Sequence, residues 1–423
     1  MSKKIILMLM LSLSLFAYDA TVEIVKKIDS LPKIAVQDAS NSDVSMTLRK
    51  KFDKILIGDL RVSANFNPLN EYLQSSYDGD VKENFLTQKN VDLILRYKLE
   101  LDGKALLAHV KLINASNGEI KNETNYKIQN TNRYPFIAHR IIVDTNDFIG
   151  APSIKWMEQF VIFAKLTGKK ESEIVVSDYT LSFQKVVVKG GLNLFPQWAN
   201  ARQDQFYYSS YNGVKPTLYR VDLSNGERQK IITSNGMLVC SDVSRDGRKL
   251  LLTMAPNDQA DIYEYDVLNK DLRRVTKYSG IDVSGKFIDD DTKMVFISDR
   301  LGYPNVFSKK LNLNASVEQM VYHGKNNSSV SANDNYIVYS SRENSSEFGR
   351  NVFNLYLIST KTDFIRQLTA NGKNLYPRFS DDVDTIMFIK EYKNQSSLGI
   401  IRLSANKSFL FPLKAGKIQS IDW

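Results

Sequence analysis

Cysteine occurs once in the 423 residues, at Cys240. A disulfide within the chain is therefore excluded, and stability has to come from buried surface. Cys240 ends the apolar run Leu238 to Cys240, where a thiol behaves as a small hydrophobe rather than a nucleophile. Histidine occurs three times, at His109, His139 and His323, and no two stand at ligand spacing, so no zinc site and no cofactor are expected. A Gly-x-Ser-x-Gly elbow is missing, which leaves a serine hydrolase without its nucleophile turn. Basic runs with interleaved aromatics are missing too. The net charge of +9 is spread as on a solvated surface, and no nucleic-acid partner is expected. Beyond the first residues no apolar run is long enough to cross a bilayer, so the mature chain has no expected membrane span. With 43% hydrophobic and 24% charged residues, the composition is that of a soluble globular protein.

The start of the chain stands apart. Lys3 and Lys4 precede the apolar run Ile5 to Leu11, continued by Leu13, Leu15 and Phe16 and closed by the small residue Ala17. A basic start, an apolar middle and a small residue at the cut make a secretory signal peptide over 1–17. The rival reading, an uncleaved anchor, meets a run shorter than the ~20 residues a span requires.

From Phe195 onward the chain repeats itself. Trp198, Val243, Phe287, Val330, Phe379 and Trp423 follow one another at steps of 45, 44, 43, 49 and 44 residues. A second column, Tyr219, Tyr263, Phe307 and Tyr356, keeps steps of 44, 44 and 49. Both columns stretch at the same place, around Glu343 to Gly349, which marks an insertion. A period in the forties with four short strands per unit predicts a β-propeller. Units begin near residues 192, 237, 281, 326 and 374. Three further strands, Gln159 to Ala164, Glu173 to Tyr179 and Phe183 to Val188, lack a first strand, and Ile418 to Trp423 is a first strand with nothing after it. Joining them predicts six blades over 156–423, with velcro closure by the C-terminal strand.

The segment 18–150 reads as a small α/β domain. Lys33 to Gln37 is a strand, Ser45 to Leu60 has helical spacing, and Val91 to Leu101, Ala105 to Ile113 and Thr124 to Ile128 are strands split by Asp102-Gly103 and Asn117-Gly118. Tyr134 to Phe148 is a helix. Ahead of these lies an extended arm, Tyr18 to about Ser30. Its strand formers Val22, Ile24, Val25 and Ile28 are kept soluble by Glu23, Lys26 and Lys27.

The first turn of each unit carries Arg245-Asp246-Gly247, Asp289-Asp290-Asp291, Asn333-Asp334-Asn335 or Ser380-Asp381-Asp382. Asp and Asn bond nearby backbone and tolerate left-handed geometry, so these are turn residues. A calcium loop needs alternating ligands and a closing Glu, which Asp289 to Asp291 lack.

Pro196-Gln197-Trp198, Pro377-Arg378-Phe379, Ser298 to Gly302, Ile262-Tyr263, Val275-Thr276 and Leu368-Thr369 resemble the blade motifs of the TolB family, the periplasmic component of the Tol–Pal cell-envelope system. The order of leader, α/β domain and propeller strengthens the resemblance, which covers nearly the whole chain. It implies a periplasmic, monomeric, non-enzymatic adaptor serving outer-membrane integrity and constriction at division. His139-Arg140 matches an Ala-His-Arg run of the family and reads as packing between the two domains.

The turns entering each first strand would form the channel mouth: Asn193, Leu194, Met237, Leu238, Ile281, Asp282, Asn326, Asn327, Asn374, Leu375 and Gln419. Apolar and amide groups mixed on a concave surface suit a protein ligand. The resemblance implies that this mouth receives Pal, the peptidoglycan-associated lipoprotein, and that the N-terminal segment, with Val22, Glu23, Ile24, Val25 and Ile28, engages TolA. The competing reading is a propeller hydrolase or peptidase-related enzyme with a channel metal, held by Asn193, Asp282, Asn326, Asn327 and Asn374 if those side chains face inward.

Overall fold

A computed structural model describes residues 31–81, 86, 89–312, 314–333, 335–343 and 352–423. The expected leader, the arm with Val22, Glu23, Ile24, Val25 and Ile28, Asp334 and most of the insertion after Glu343 lie outside these residues.

The N-terminal part is built on a mixed sheet. Strand β1 (Lys33–Asp38) pairs in parallel with two short strands, β2 (Asn67–Pro68) and β3 (Leu73–Gln74), and with β4 (Leu93–Asp102). Strands β5 (Ala105–Asn114) and β6 (Ile120–Ile128) follow β4 in antiparallel order. Asp102-Gly103 turns the first hairpin with Gly103 at φ 58°, a region that costs glycine little. Strand β6 starts earlier than Thr124 and forms one edge of the sheet.

Helix α1 (Met46–Ser63) begins where Ser45 Oγ accepts the Leu48 N–H at 3.3 Å and ends at Ala64, φ 61°. Phe52, Ile55, Leu56 and Leu60 recur at helical spacing and are buried. Helix α2 (Tyr134–Phe148) carries Pro135 in its first turn, where the missing N–H has no cost. Its Ile137, Ile141 and Ile142 share one core with α1, with Trp156 and Tyr179, and with Ile418 and Ile421 near the C-terminus. The turn near residue 150 is thus spanned by continuous apolar packing.

From residue 161 the chain is strands. Consecutive four-strand sets pair in sequence order over 193–233, 238–274 and 282–319. The sets over 325–367 and 373–412 form one eight-stranded sheet, joined by the parallel pair Phe353 and Lys373. The remaining sheet pairs the C-terminal strand Lys417–Asp422 with β7 (Val161–Gly168), then β8 (Glu171–Ser177) and β9 (Gln184–Val188). The first strand of every set, together with the C-terminal strand, converges on one central cavity. This radial arrangement is propeller architecture.

Each of these inner strands breaks register with its neighbour: at Leu194/Gln197, Cys240/Asp242, Val283/Lys286, Asn327/Val330, Leu375/Arg378 and Ile418/Ser420. A bulge leaves backbone groups without ladder partners. The Phe195, Ser284 and Tyr376 amides in the bulges donate instead to Ser420 Oγ (3.1 Å), Thr253 Oγ1 (3.0 Å) and Ser329 Oγ (3.0 Å) of the neighbouring sets. A second tier repeats the device. The Trp198, Phe287 and Phe379 amides donate to Asp422 Oδ2 (2.8 Å), Asp242 Oδ2 (2.8 Å) and Ser331 Oγ (3.3 Å). Neighbouring sets are therefore laced by side chain as well as packed.

Shortening the chain by residues 418–423 removes the buried Ile418 and Ile421 and the Asp422 ties. Loss of a single buried Ile costs roughly 2–5 kcal/mol, so a large fall in the unfolding midpoint in urea is expected. A midpoint within error of the intact protein would mean that the β7 sheet does not depend on this strand.

Candidate protein-binding mouth of the central channel

The cavity where the inner strands meet has a volume of about 220 Å³. Its wall is apolar, with Phe195, Met237, Val239, Val283, Tyr376 and Ile421. Phe195 (φ 54°) and Tyr376 (φ 52°) are held in left-handed backbone, which costs a non-glycine residue roughly 1–2 kcal/mol. The bulge ties offset that cost, and the result is two aromatic side chains at the wall. Strain kept at a cavity wall points to use of that wall.

Gln197, Lys286 and Arg378 form the floor, shared with a second cavity of about 410 Å³ on the far side that also reaches Trp198, Asp242 and Asp422. Lys286 Nζ lies 3.3 Å from Asp242 Oδ1, and Arg378 Nε donates to Asp422 Oδ1 at 3.1 Å. Burial, with Arg378 adding to it, lowers the Lys286 pKa. Burial raises that of Asp422 against the pull of Arg378 and Lys286. Each floor carboxylate already faces a cation.

Of the residues expected at the mouth from sequence, Met237 lines the cavity, 37% exposed. Ile281 is exposed at 50% on the rim outside it, and Leu194, Asn326, Leu375 and Gln419 are half-buried beside it. Asn193, Leu238, Asp282, Asn327 and Asn374 are buried and turned into the protein. The amides clamp the entering loops: Asn193 Nδ2 donates to Gly190 O (2.9 Å), Asn327 Nδ2 to His323 O (3.2 Å) and Asn374 Nδ2 to Asn371 O (2.9 Å). Asp282 is paired with Arg300 at 3.0 Å. These side chains satisfy loop groups, so the inward cluster needed by the channel-metal hydrolase is not assembled from them. Among the described residues no group of three or more His, Cys, Asp or Glu side chains is placed to hold a metal ion. The wall is lined one or two residues further along each strand, by Phe195, Val239, Val283, Ser329, Tyr376 and Ser420. The bulges that aim them, left-handed at Phe195, Ser284, Asn326 and Tyr376, leave no mark in a pattern of residue types.

The profile of the TolB amino-terminal domain matches residues 20–120, and that of the TolB beta propeller domain matches residues 158–423. The chain belongs to the TolB family. It is 51% identical to the Tol-Pal system protein TolB of Wolinella succinogenes over 422 residues, 99% of this chain and 100% of that one. It is 47% identical to the Tol-Pal system protein TolB of Campylobacter jejuni over 424 residues, all of both chains. The crystal structure of TolB from Acinetobacter baumannii superposes with a TM-score of 0.76, covering 93% of this chain and 97% of that one; at 19% identity the likeness is of fold. TolB proteins are periplasmic propeller components of the Tol–Pal system, not members of an enzyme family.

In this chain the helical region is fastened to the strands by a buried ionic relay. His139 on α2 is fully buried. Its Nδ1 lies 2.6 Å from Asp59 Oδ2 on α1, and its Nε2 lies 3.3 Å from Asp178 Oδ2 just after β8. Tyr179 Oη donates to Asp59, and Asp178 accepts the Phe183 N–H at 2.6 Å. The packing role expected of His139 takes the form of a charged bridge. Burial alone would lower its pKa, but the two carboxylates outweigh burial and raise it to about 10. The imidazolium is the folded form at neutral pH.

Unfolded, the same histidine loses its proton near pH 6.5. The relay's stabilisation is therefore complete below about pH 6.5 and is lost as pH rises through about 10. Replacing His139 by Leu strands two buried carboxylates and should cost about 3–5 kcal/mol near pH 6. The stability gap between wild type and His139→Leu, read from urea unfolding at successive pH values, should narrow toward pH 10. A gap independent of pH would show that His139 is neutral in the folded protein.

Proposed function

We propose that this protein is a non-enzymatic periplasmic adaptor that carries a Pal-like lipoprotein at its channel mouth and a TolA-like protein on its N-terminal arm. The observation that carries the reading is the central cavity: an apolar wall, aromatic residues fixed in strained backbone, and a floor whose charges are already paired. A wall of this kind accepts apolar side chains of a protein partner. Family membership supplies the kind of partner.

The strand sets are read as six blades, the eight-stranded sheet counting as two and the C-terminal strand completing the blade of β7 to β9. The working division is a cleaved leader over 1–17, an α/β unit over 18–150 with its arm, and the propeller over 156–423. Export by the leader places the mature monomer in the periplasm. There the two partner sites join the outer-membrane lipoprotein to the energised inner-membrane protein, in support of envelope integrity and constriction at division. Strand formers on the arm suit addition to an exposed sheet edge of the partner, which demands main-chain bonds more than side chains. Binding at the two sites, if coupled, is coupled reciprocally, typically by about 1–3 kcal/mol.

Met237 is the substitution of choice at the mouth, since Leu238 and Asn327 are buried and would report on folding instead. Met237→Glu should weaken binding of a purified Pal protein by at least about tenfold, measured by titration calorimetry, with an unchanged melting temperature. Removal of residues 18–30 should abolish TolA binding and leave the mouth's affinity for Pal within a factor set by the coupling. Undiminished Pal binding by Met237→Glu together with Tyr376→Ala would move the partner site away from the channel.

A further inference from the structure

A crevice of about 410 Å³ opens between the sheet edge of the N-terminal part and the start of the strands. Residues Asn125 to Ile128 of β6 form one wall, Phe136, Ile137 and Arg140 of α2 another, and Glu158 and Phe160 the third. Strand β6 pairs with β5 on one side and with no strand on the other among the described residues. Its outer row of backbone donors and acceptors is thus open to a further strand.

The cations at this crevice are unequal. Lys127 is paired with Asp102 at 2.8 Å, and Arg140 donates to Glu158 at 2.8 Å. The Arg133 guanidinium makes no hydrogen bond or ion pair with the described residues. Its central carbon lies 5.3 Å from the centre of the Phe136 ring and 5.6 Å from that of Phe160, and its Nε is shut off from solvent without a partner. Arg133 also stands at the N-cap of α2, an end that no side chain caps. A guanidinium set against two rings, at the positive end of a helix and with unused donors, is prepared for a carboxylate.

We propose that the β6 edge at Asn125 to Ile128 receives an extended segment of a partner protein, and that an Asp or Glu side chain of that segment pairs with Arg133. Main-chain bonds to β6 supply the common part of the affinity, and Arg133 supplies the selection for an acidic residue. The charged residues Lys121, Glu123 and Lys127 on the same strand protect the edge from indiscriminate pairing. The site is separate from the channel mouth and does not involve the N-terminal arm of the preceding section, so either reading can fail alone.

The probes are two acetylated and amidated pentapeptides, Thr-Val-Glu-Val-Thr and Thr-Val-Gln-Val-Thr, titrated to millimolar concentration into the mature chain labelled for amide NMR. The Glu peptide should shift the amides of Asn125 to Ile128 and bind about tenfold more tightly than the Gln peptide. Arg133→Gln should abolish that preference while its residual binding still shifts β6. Arg133→Lys should restore it in part. Unshifted β6 amides, equal affinity for the two peptides, or a preference that survives Arg133→Gln would each overturn the proposal. A lower melting temperature of Arg133→Gln without any peptide preference in wild type would reduce Arg133 to a structural pin on Phe136 and Phe160. Concentration-dependent sedimentation of the free chain that disappears on adding the peptide would assign the edge to a second copy and overturn the choice of occupant.

Discussion

A bulged inner strand sets a problem that the rest of the propeller answers. The bulge turns backbone N–H groups away from the ladder in a half-buried place, and an unmet donor costs up to about 1–3 kcal/mol where water is excluded. The acceptor comes from the next set of strands. Ser420, Thr253 and Ser329 answer the first tier, and Asp422, Asp242 and Ser331 the second. These bonds fix how closely adjacent sets approach, and hence the width of the channel. They also lock Phe195, Ser284 and Tyr376 in left-handed backbone. The wall of the mouth is therefore a consequence of the lacing, which also fixes its aromatic residues. A wall so fixed loses little further freedom on binding, which favours affinity per unit of buried surface.

The ties do not circle the ring evenly. They run from the C-terminal strand to the 193–233 set, from the 238–274 set to the 282–319 set, and from the 325–367 set to the 373–412 set. These bulge bonds thus lace adjacent sets in pairs, and other hydrogen bonds cross between pairs: Tyr211 Oη donates to Leu238 O at 3.2 Å, Asn327 Nδ2 to Asn305 Oδ1 at 2.8 Å and Arg378 Nε to Asp422 Oδ1 at 3.1 Å. The contact between the 373–412 set and the C-terminal strand belongs to the core that continues into α1 and α2 through Trp156 and Tyr179. His139, Asp59 and Asp178 lie beside that core. The N-terminal part thus adds apolar packing at a contact that the bulge bonds do not lace, and the histidine charge makes that support depend on pH.

Much of this was legible in the residue types, and the limits have physical causes. Tandem spacing reads well because every set repeats the same burial problem, so Trp198, Phe287 and their counterparts recur whatever the detail around them. Helices α1 and α2 read well because Phe52, Ile55 and Leu56, or Ile137 and Ile141, obey the period of 3.6. The mouth read poorly. An Asn at a turn, such as Asn193 or Asn374, has the same composition signal whether its amide faces solvent or clamps the carbonyl of Gly190 or Asn371. A bulge shifts side-chain direction by a residue, and nothing in the identity of Phe195 or Tyr376 announces a positive φ. The relay was half visible: His139 was marked, but its partners Asp59 and Asp178 come from 80 and 39 residues away and meet it only through the fold.

The floor of the channel shows how chemistry follows from those contacts. Lys286 and Arg378 bring two positive charges to one constriction, an arrangement that would repel itself in a dry site. Asp242 and Asp422 neutralise them pairwise, and the same two carboxylates hold the amides of Phe287 and Trp198. Each aspartate is thereby committed twice, to a cation and to the backbone. Neither is free to ligate an added ion without releasing both, which would unlace adjacent sets and leave a buried cation unpaired. The floor can thus serve as a rigid, neutral base under an apolar wall. For the protein partner proposed at this mouth, discrimination would fall to shape and to the fit of apolar side chains against Phe195, Val239, Val283 and Tyr376.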